Sequence, residues 1–121
     1  MVQHVKFENQ AGKQYMASRS SKRFIHTPQD ILDLLACGNE NETNLFLLEE
    51  TNFISEFYDL KTGLAGEILQ KISTYRARQA IVGSFEMAES KKFGEVMVEL
   101  NKGSQVRFAR TKEEAVSWLM Q

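Results

Sequence analysis

The sequence predicts an α/β protein: an N-terminal β-hairpin followed by alternating αβ units, with a mostly parallel five-stranded sheet flanked by four helices. Three observations predict it. Residues 1–18 alternate loosely between apolar and polar around a turn-like Asn9–Gly12. Three short apolar runs follow, Leu45–Leu48, Ala80–Gly83 and a weaker Val106–Ala109, of the kind that fills a strand buried on both faces. Segments of helical period separate these runs, and strands alternating with helices of that length imply right-handed crossovers and a parallel sheet.

Each element has its own signal. Val2, His4 or Val5, and Phe7 mark the first strand, and Gln14–Ser18 the second. The only proline starts the first helix: Thr27 is placed as N-cap, Pro28 at the first helical position and Asp30 closes a capping box. Ile31, Leu32, Leu34, Leu35 and Cys37 follow, with Gly38 expected to stop the helix and 39–44 to form a polar loop. Leu64, Ile68, Leu69, Ile72 and Tyr75 share one face of a second helix. Phe93, Val96, Met97 and Leu100 share a face of a third, closed by Asn101-Lys102-Gly103. Thr111 and Glu114 open the last helix, which buries Ala115, Trp118 and Leu119. The element order uses nearly all of residues 1–121, so one domain is expected.

Composition narrows the function. Among 121 residues, 15 Lys+Arg balance 16 Asp+Glu, a formal charge of −1 that argues against a general polyanion binder. The basic residues of Ser18–Arg23 and the pair Arg76 and Arg78 then read as solvated loops, and nucleic-acid binding is not expected. The single cysteine, Cys37, excludes an internal disulfide, and its place at a helix end reads as packing rather than reactivity. His4 and His26 lack metal-ligand spacing, so no metal and no cofactor is expected. No apolar run reaches the roughly 18–20 residues of a membrane span. The opening MVQHVKFENQ has no signal-peptide stretch, so a cytoplasmic protein is expected.

Two stretches carry the candidate sites. Asp59, Lys61, Thr62, Gly63 and Gly66 lead from a central strand into a helix start, where free N–H groups attract anions. Ser84 follows the next strand at the same edge of the sheet, where ligands of α/β sheets bind. In the plainer reading Thr62 is an N-cap, Asp59 caps the turn at Leu60-Lys61, and the glycines let the helix lie close to the sheet. The preceding loop mixes acids with large apolar groups. Glu50, Phe53, Phe57 and Tyr58 form either a patch for a protein partner or, in a short helical turn from Ser55, part of the core.

The element order resembles the STAS fold of sulfate transporters and anti-sigma-factor antagonists. That family places an aspartate, a serine, a small hydroxyl residue and a glycine after the central strand. Asp59-Leu60-Lys61-Thr62-Gly63 stands there in this chain, with Lys61 where the family has its phosphorylated serine. The run Phe57–Lys71, with Tyr75-Arg76, Ala80–Gly83, Ser90-Lys91, Glu99–Gly103 and the Thr111–Leu119 helix, more closely resembles a bacterial family of small proteins, domain of unknown function 4180. That resemblance covers residues 40–120 well and the first 40 weakly. It implies a fold class and no activity.

With no catalytic motif, the sequence points to a non-catalytic regulatory or protein-interaction module with an unknown protein partner. The alternative is a small anionic ligand-binding protein or enzyme using the helix start at 62–66. The hairpin at the sheet edge also allows a homodimer.

Overall fold

The computed structural model describes residues 4–85 and 91–121, apart from the Lys91 side chain. Val2 and Ser90, used above, lie outside the described residues. The elements are β1 (Val5–Gln10), β2 (Lys13–Ser18), α1 (Pro28–Glu40), β3 (Leu45–Glu49), α2 (Leu64–Thr74), β4 (Arg78–Val82), α3 (Lys91–Asn101), β5 (Val106–Ala109) and α4 (Lys112–Leu119). This is the expected mixed α/β architecture.

The hairpin closes on Ala11 (φ 54°) and Gly12 (φ 80°), both left-handed, the geometry whose twist matches a two-residue hairpin. β1 is antiparallel to β2, and β2, β3, β4 and β5 run parallel in the order β1-β2-β3-β4-β5. Every parallel step moves the same way across the sheet. Right-handed crossovers therefore put α1, α2 and α3 on one face. The core agrees: Phe46, Leu48, Ile81 and Phe108 point to that face and meet Ile31, Leu34 and Leu35 of α1, Ile68 and Ile72 of α2 and Phe93 of α3. The alternate residues Tyr15, Ala17, Leu45, Leu47 and Ala80 face the other way and are covered by Ala115, Val116, Trp118 and Leu119 of α4.

Three local expectations are corrected. Gly38 does not stop α1, which runs on to Glu40. A Cβ at Gly38 would lie 2.5 Å from Phe46 Cζ and 2.9 Å from the Thr43 carbonyl, so glycine here lets the helix lie against β3. Tyr75 is not on the buried face of α2; it follows the last turn and is 42% exposed. Arg78 is not a solvated loop residue. As the first residue of β4 it donates to the Trp118, Leu119 and Gln121 carbonyls, and its guanidinium lies 4.3 Å from the Trp118 ring centre. The fork thus satisfies the Leu119 and Gln121 carbonyls at the end of α4 and adds a second donor to the Trp118 carbonyl, which already accepts from the Gln121 N–H. Removal from water and the nearby Arg107 cation hold the Arg78 pKa below its ordinary value.

Candidate functional site

The long connection after β3 has structure of its own: three 3-10 turns, Glu50–Asn52, Ser55–Tyr58 and Leu60–Thr62, which lead directly into α2. Their apolar residues face inward. The Phe53 and Phe57 rings meet at a tilt with 4.5 Å between centres, and Phe57 and Tyr58 meet Phe93 edge-on at 5.8 and 5.3 Å. Phe53, Phe57 and Tyr58 are therefore core, and the apolar patch expected of them is not on the surface. The physical reason is local: the Ser55–Tyr58 turn places Phe57 and Tyr58 on its buried side, against Phe53 and against Phe93 of α3.

Glu50 is buried with them. Its Oε1 accepts from the Phe85 N–H at 2.9 Å, while Oε2 has no hydrogen-bond partner among the described residues. A Cβ on Gly83 would fall 2.5 Å from Glu50 Cβ and Oε1, so the bare backbone after β4 makes room for this side chain. The Tyr58 hydroxyl donates to the Glu50 carbonyl at 2.6 Å. Burial first, and then the Glu50 charge, push the Tyr58 phenol far above its ordinary pKa.

Asn52 is the residue that sequence reasoning missed. It is fully buried; Oδ1 accepts from the Glu49 N–H at 2.7 Å, and Nδ2 donates to the Ser20 and Lys22 carbonyls at 2.9 and 2.8 Å. Phe24 and Ile25 N–H groups both donate to its carbonyl, and Ile25 bridges to Phe53. Asn52 thus ties the basic 19–23 segment to the turn after β3. No local pattern marks it, because all but one of its side-chain partners lie about thirty residues away.

The polar half of the connection is exposed. Asp59 Oδ1 accepts from the Lys61 N–H at 3.1 Å, the turn cap that its position suggests. The Thr62 hydroxyl donates to the Glu56 and Asp59 carbonyls at 2.7 and 2.9 Å and accepts from the Leu64 N–H at 3.2 Å. The N-cap itself is Gly63, in the left-handed region at φ 75°, one residue later than expected. Any other L-residue there is strained. Thr62 is thus a staple joining two 3-10 turns to α2. Gly66 differs from what was expected of it. It is exposed, and a Cβ there meets nothing within 4 Å, so it does not bring α2 closer to the sheet.

Asp59, Lys61, Thr62, Gly63 and Gly66 thus form one ordered, exposed knuckle with Glu56 and Glu67 beside them. Ser84 is exposed after β4, and no hydrogen bond ties it to this knuckle. The ligand crevice of α/β sheets opens where successive crossovers leave a strand in opposite directions. Here β2 to β5 step in a single direction, so the order supplies no such crevice between them. An open concavity of about 640 Å³ lies at the other end of the sheet, among Lys13, Gln14, Asn41, Thr43, Arg78 and Gln121. Among the described residues no group of three His, Cys, Asp or Glu could hold a metal ion. His4 stacks on Phe24 at 4.9 Å, and His26 lies 3.8 Å from Asp30 within the α1 cap. No described helix is long and apolar enough to cross a membrane.

This arrangement defines a class: a single-sheet α/β domain wound in one direction, with an ordered polar knuckle at the carboxyl ends of its strands. Within that class, the family model described as Domain of unknown function (DUF4180) matches residues 10–119, and the chain belongs to that family. The match takes in β2 and α1, where the sequence resemblance was weakest, and only the last residue of β1. No curated protein and no solved structure matches the chain.

Proposed function

We propose that this protein is a regulatory or protein-interaction module without chemistry of its own, STAS-like in design, working in the bacterial cytoplasm. In this reading the knuckle Asp59–Gly66 is the recognition surface for a protein partner. One observation carries it. Gly66 sits in the first turn of α2, exposed, with open space where its Cβ would be. Glycine inside a helix costs about 1 kcal/mol relative to alanine. At Gly38 that cost is offset by close packing; at Gly66 nothing among the described residues offsets it. A bare backbone at an exposed helix start admits a partner's close approach. The surrounding Glu56, Asp59, Lys61 and Glu67 supply the mixed charges of an interface rim.

The alternative, a small anion held at the start of α2, is less well supported. Thr62 already occupies the Leu64 N–H, and three exposed carboxylates accompany the one cation, Lys61. Capture from the native cell separates the readings. Wild-type bait is expected to retain a partner that Gly66→Arg and Asp59→Lys both lose while remaining folded, Gly66→Arg melting no lower than the parent. If both variants capture the same proteins as wild type, the interaction reading fails. A rise in melting temperature with phosphate or nucleotides, abolished by Gly66→Arg, would establish the anion site instead.

A further inference from the structure

The two edges of the sheet are treated differently. At β5 the outward backbone is closed from within the chain. Asn101, the last residue of α3, accepts from the Phe108 N–H at 2.8 Å and donates to the Phe108 carbonyl at 3.2 Å. Its side-chain amide stands where a neighbouring strand would bond. At β1 the Arg19 N–H donates to the His4 carbonyl at 2.9 Å. Residues 4, 6, 8 and 10 therefore bond inward to β2, and Val5, Phe7 and Asn9 direct their N–H and C=O groups outward. Arg19 Nε covers the Val5 carbonyl at 2.8 Å. No described residue covers the backbone groups of Phe7 or Asn9. The Phe7 side chain is 37% exposed beside them. An open edge of this kind is a template for another strand.

We propose that β1 is the docking edge for a second copy of this chain, the two β1 strands pairing antiparallel about Phe7. Charge selects both the occupant and the register. With Phe7 opposite its counterpart, Lys6 stands opposite Glu8 of the second copy, and Glu8 opposite Lys6 of the second copy. Slipping the pairing by one hydrogen-bonded step sets Lys6 against Lys6, or Glu8 against Glu8. Like charges directly opposite are destabilising, and opposite charges favourable. The β1 sequence is thus self-complementary in one register. Lys6 and Glu8 already share a face, 3.1 Å apart, so both are presented to the partner strand on the α4 side. This surface is separate from the knuckle at residues 59–66, and its failure leaves the proposed function standing.

Sedimentation velocity over a concentration series of the full chain tests the proposal. The wild type is expected to dimerise. Asn9→Pro removes an outward N–H, whose acceptor in this register is the second copy's Val5 carbonyl, shared with Arg19, and leaves the bonds to β2 untouched, a substitution edge strands tolerate; it should weaken self-association. Lys6→Glu and Glu8→Lys should each weaken self-association about tenfold or more. An equimolar mixture of the two should form a mixed dimer, because each strand then faces its opposite charge. A monomeric wild type overturns the proposal, as does a dimer indifferent to Asn9→Pro and Lys6→Glu. If Glu8→Lys fails to fold, through loss of its Tyr15 and Lys112 contacts, Asn9→Pro and Lys6→Glu decide the matter.

Discussion

Replacing Gly66 and Gly38 by alanine should move stability in opposite directions, although both glycines lie within helices. At Gly66 the new methyl group meets nothing within 4 Å. The change removes the entropic cost of glycine, so stabilisation of about 0.5–1 kcal/mol is expected. For a chain of this size that is a rise of roughly 2–4 °C in melting temperature. At Gly38 the same propensity gain of about 1 kcal/mol applies. It is opposed by contacts of 2.5 and 2.7 Å to the Phe46 ring and 2.9 Å to the Thr43 carbonyl. Phe46 is almost wholly buried and has little room to withdraw. Thr43 is held in place by its N–H to the Gly38 carbonyl and its hydroxyl to the Gln14 carbonyl. Overpacking of this kind costs about 1–3 kcal/mol, occasionally more. Gly38→Ala should therefore destabilise by up to about 2 kcal/mol once the helix gain is subtracted. Urea unfolding followed by far-ultraviolet circular dichroism measures both, with unchanged slopes confirming a comparison of stabilities. A Gly38→Ala variant as stabilising as Gly66→Ala would refute the packing of α1 on β3. A destabilising Gly66→Ala would refute the open surface on which the proposed function rests.

Two further outcomes follow from the same geometry. Phe57→Ala should cost about 3–5 kcal/mol, as for a buried aromatic, whereas Lys61→Ala on the neighbouring exposed turn should stay within about 0.5 kcal/mol; equal effects in urea unfolding would contradict the burial of Phe57. Glu8 accepts from Lys6, Tyr15 and Lys112, and these bonds, Lys6 first, hold its pKa below the ordinary value despite partial burial. Its contribution is present above that ordinary value and is lost as pH falls through the lowered one. The acid limb of a melting-temperature profile should be shallower for Glu8→Gln, and superimposable limbs would show that Glu8 is not paired. The same contact and burial raise the Tyr15 pKa to about 12, burial being the larger cause.

Much of the fold was legible because its signals are local. Thr27 and Asp30 make the capping box that their spacing announces. Leu45–Leu48 alternates between two cores, which is why the run is apolar throughout. Asp59 caps its own turn two residues on. The candidate site was legible only in part. Whether Phe57 and Tyr58 face solvent depends on Phe93, more than thirty residues away. The same holds for Asn52, whose side chain bonds back to Ser20 and Lys22.

The sequence by itself determined the order of strands and helices, most of their ends and the balance of charge, since periodicity, caps and composition act over a few residues. Tertiary structure alone decided which glycine is packed and which is bare. It also decided which polar residues sit inside and which sheet edge is closed. Those properties belong to pairs of surfaces brought together from distant parts of the chain, and a side chain's exposure is set by what the rest of the chain lays over it.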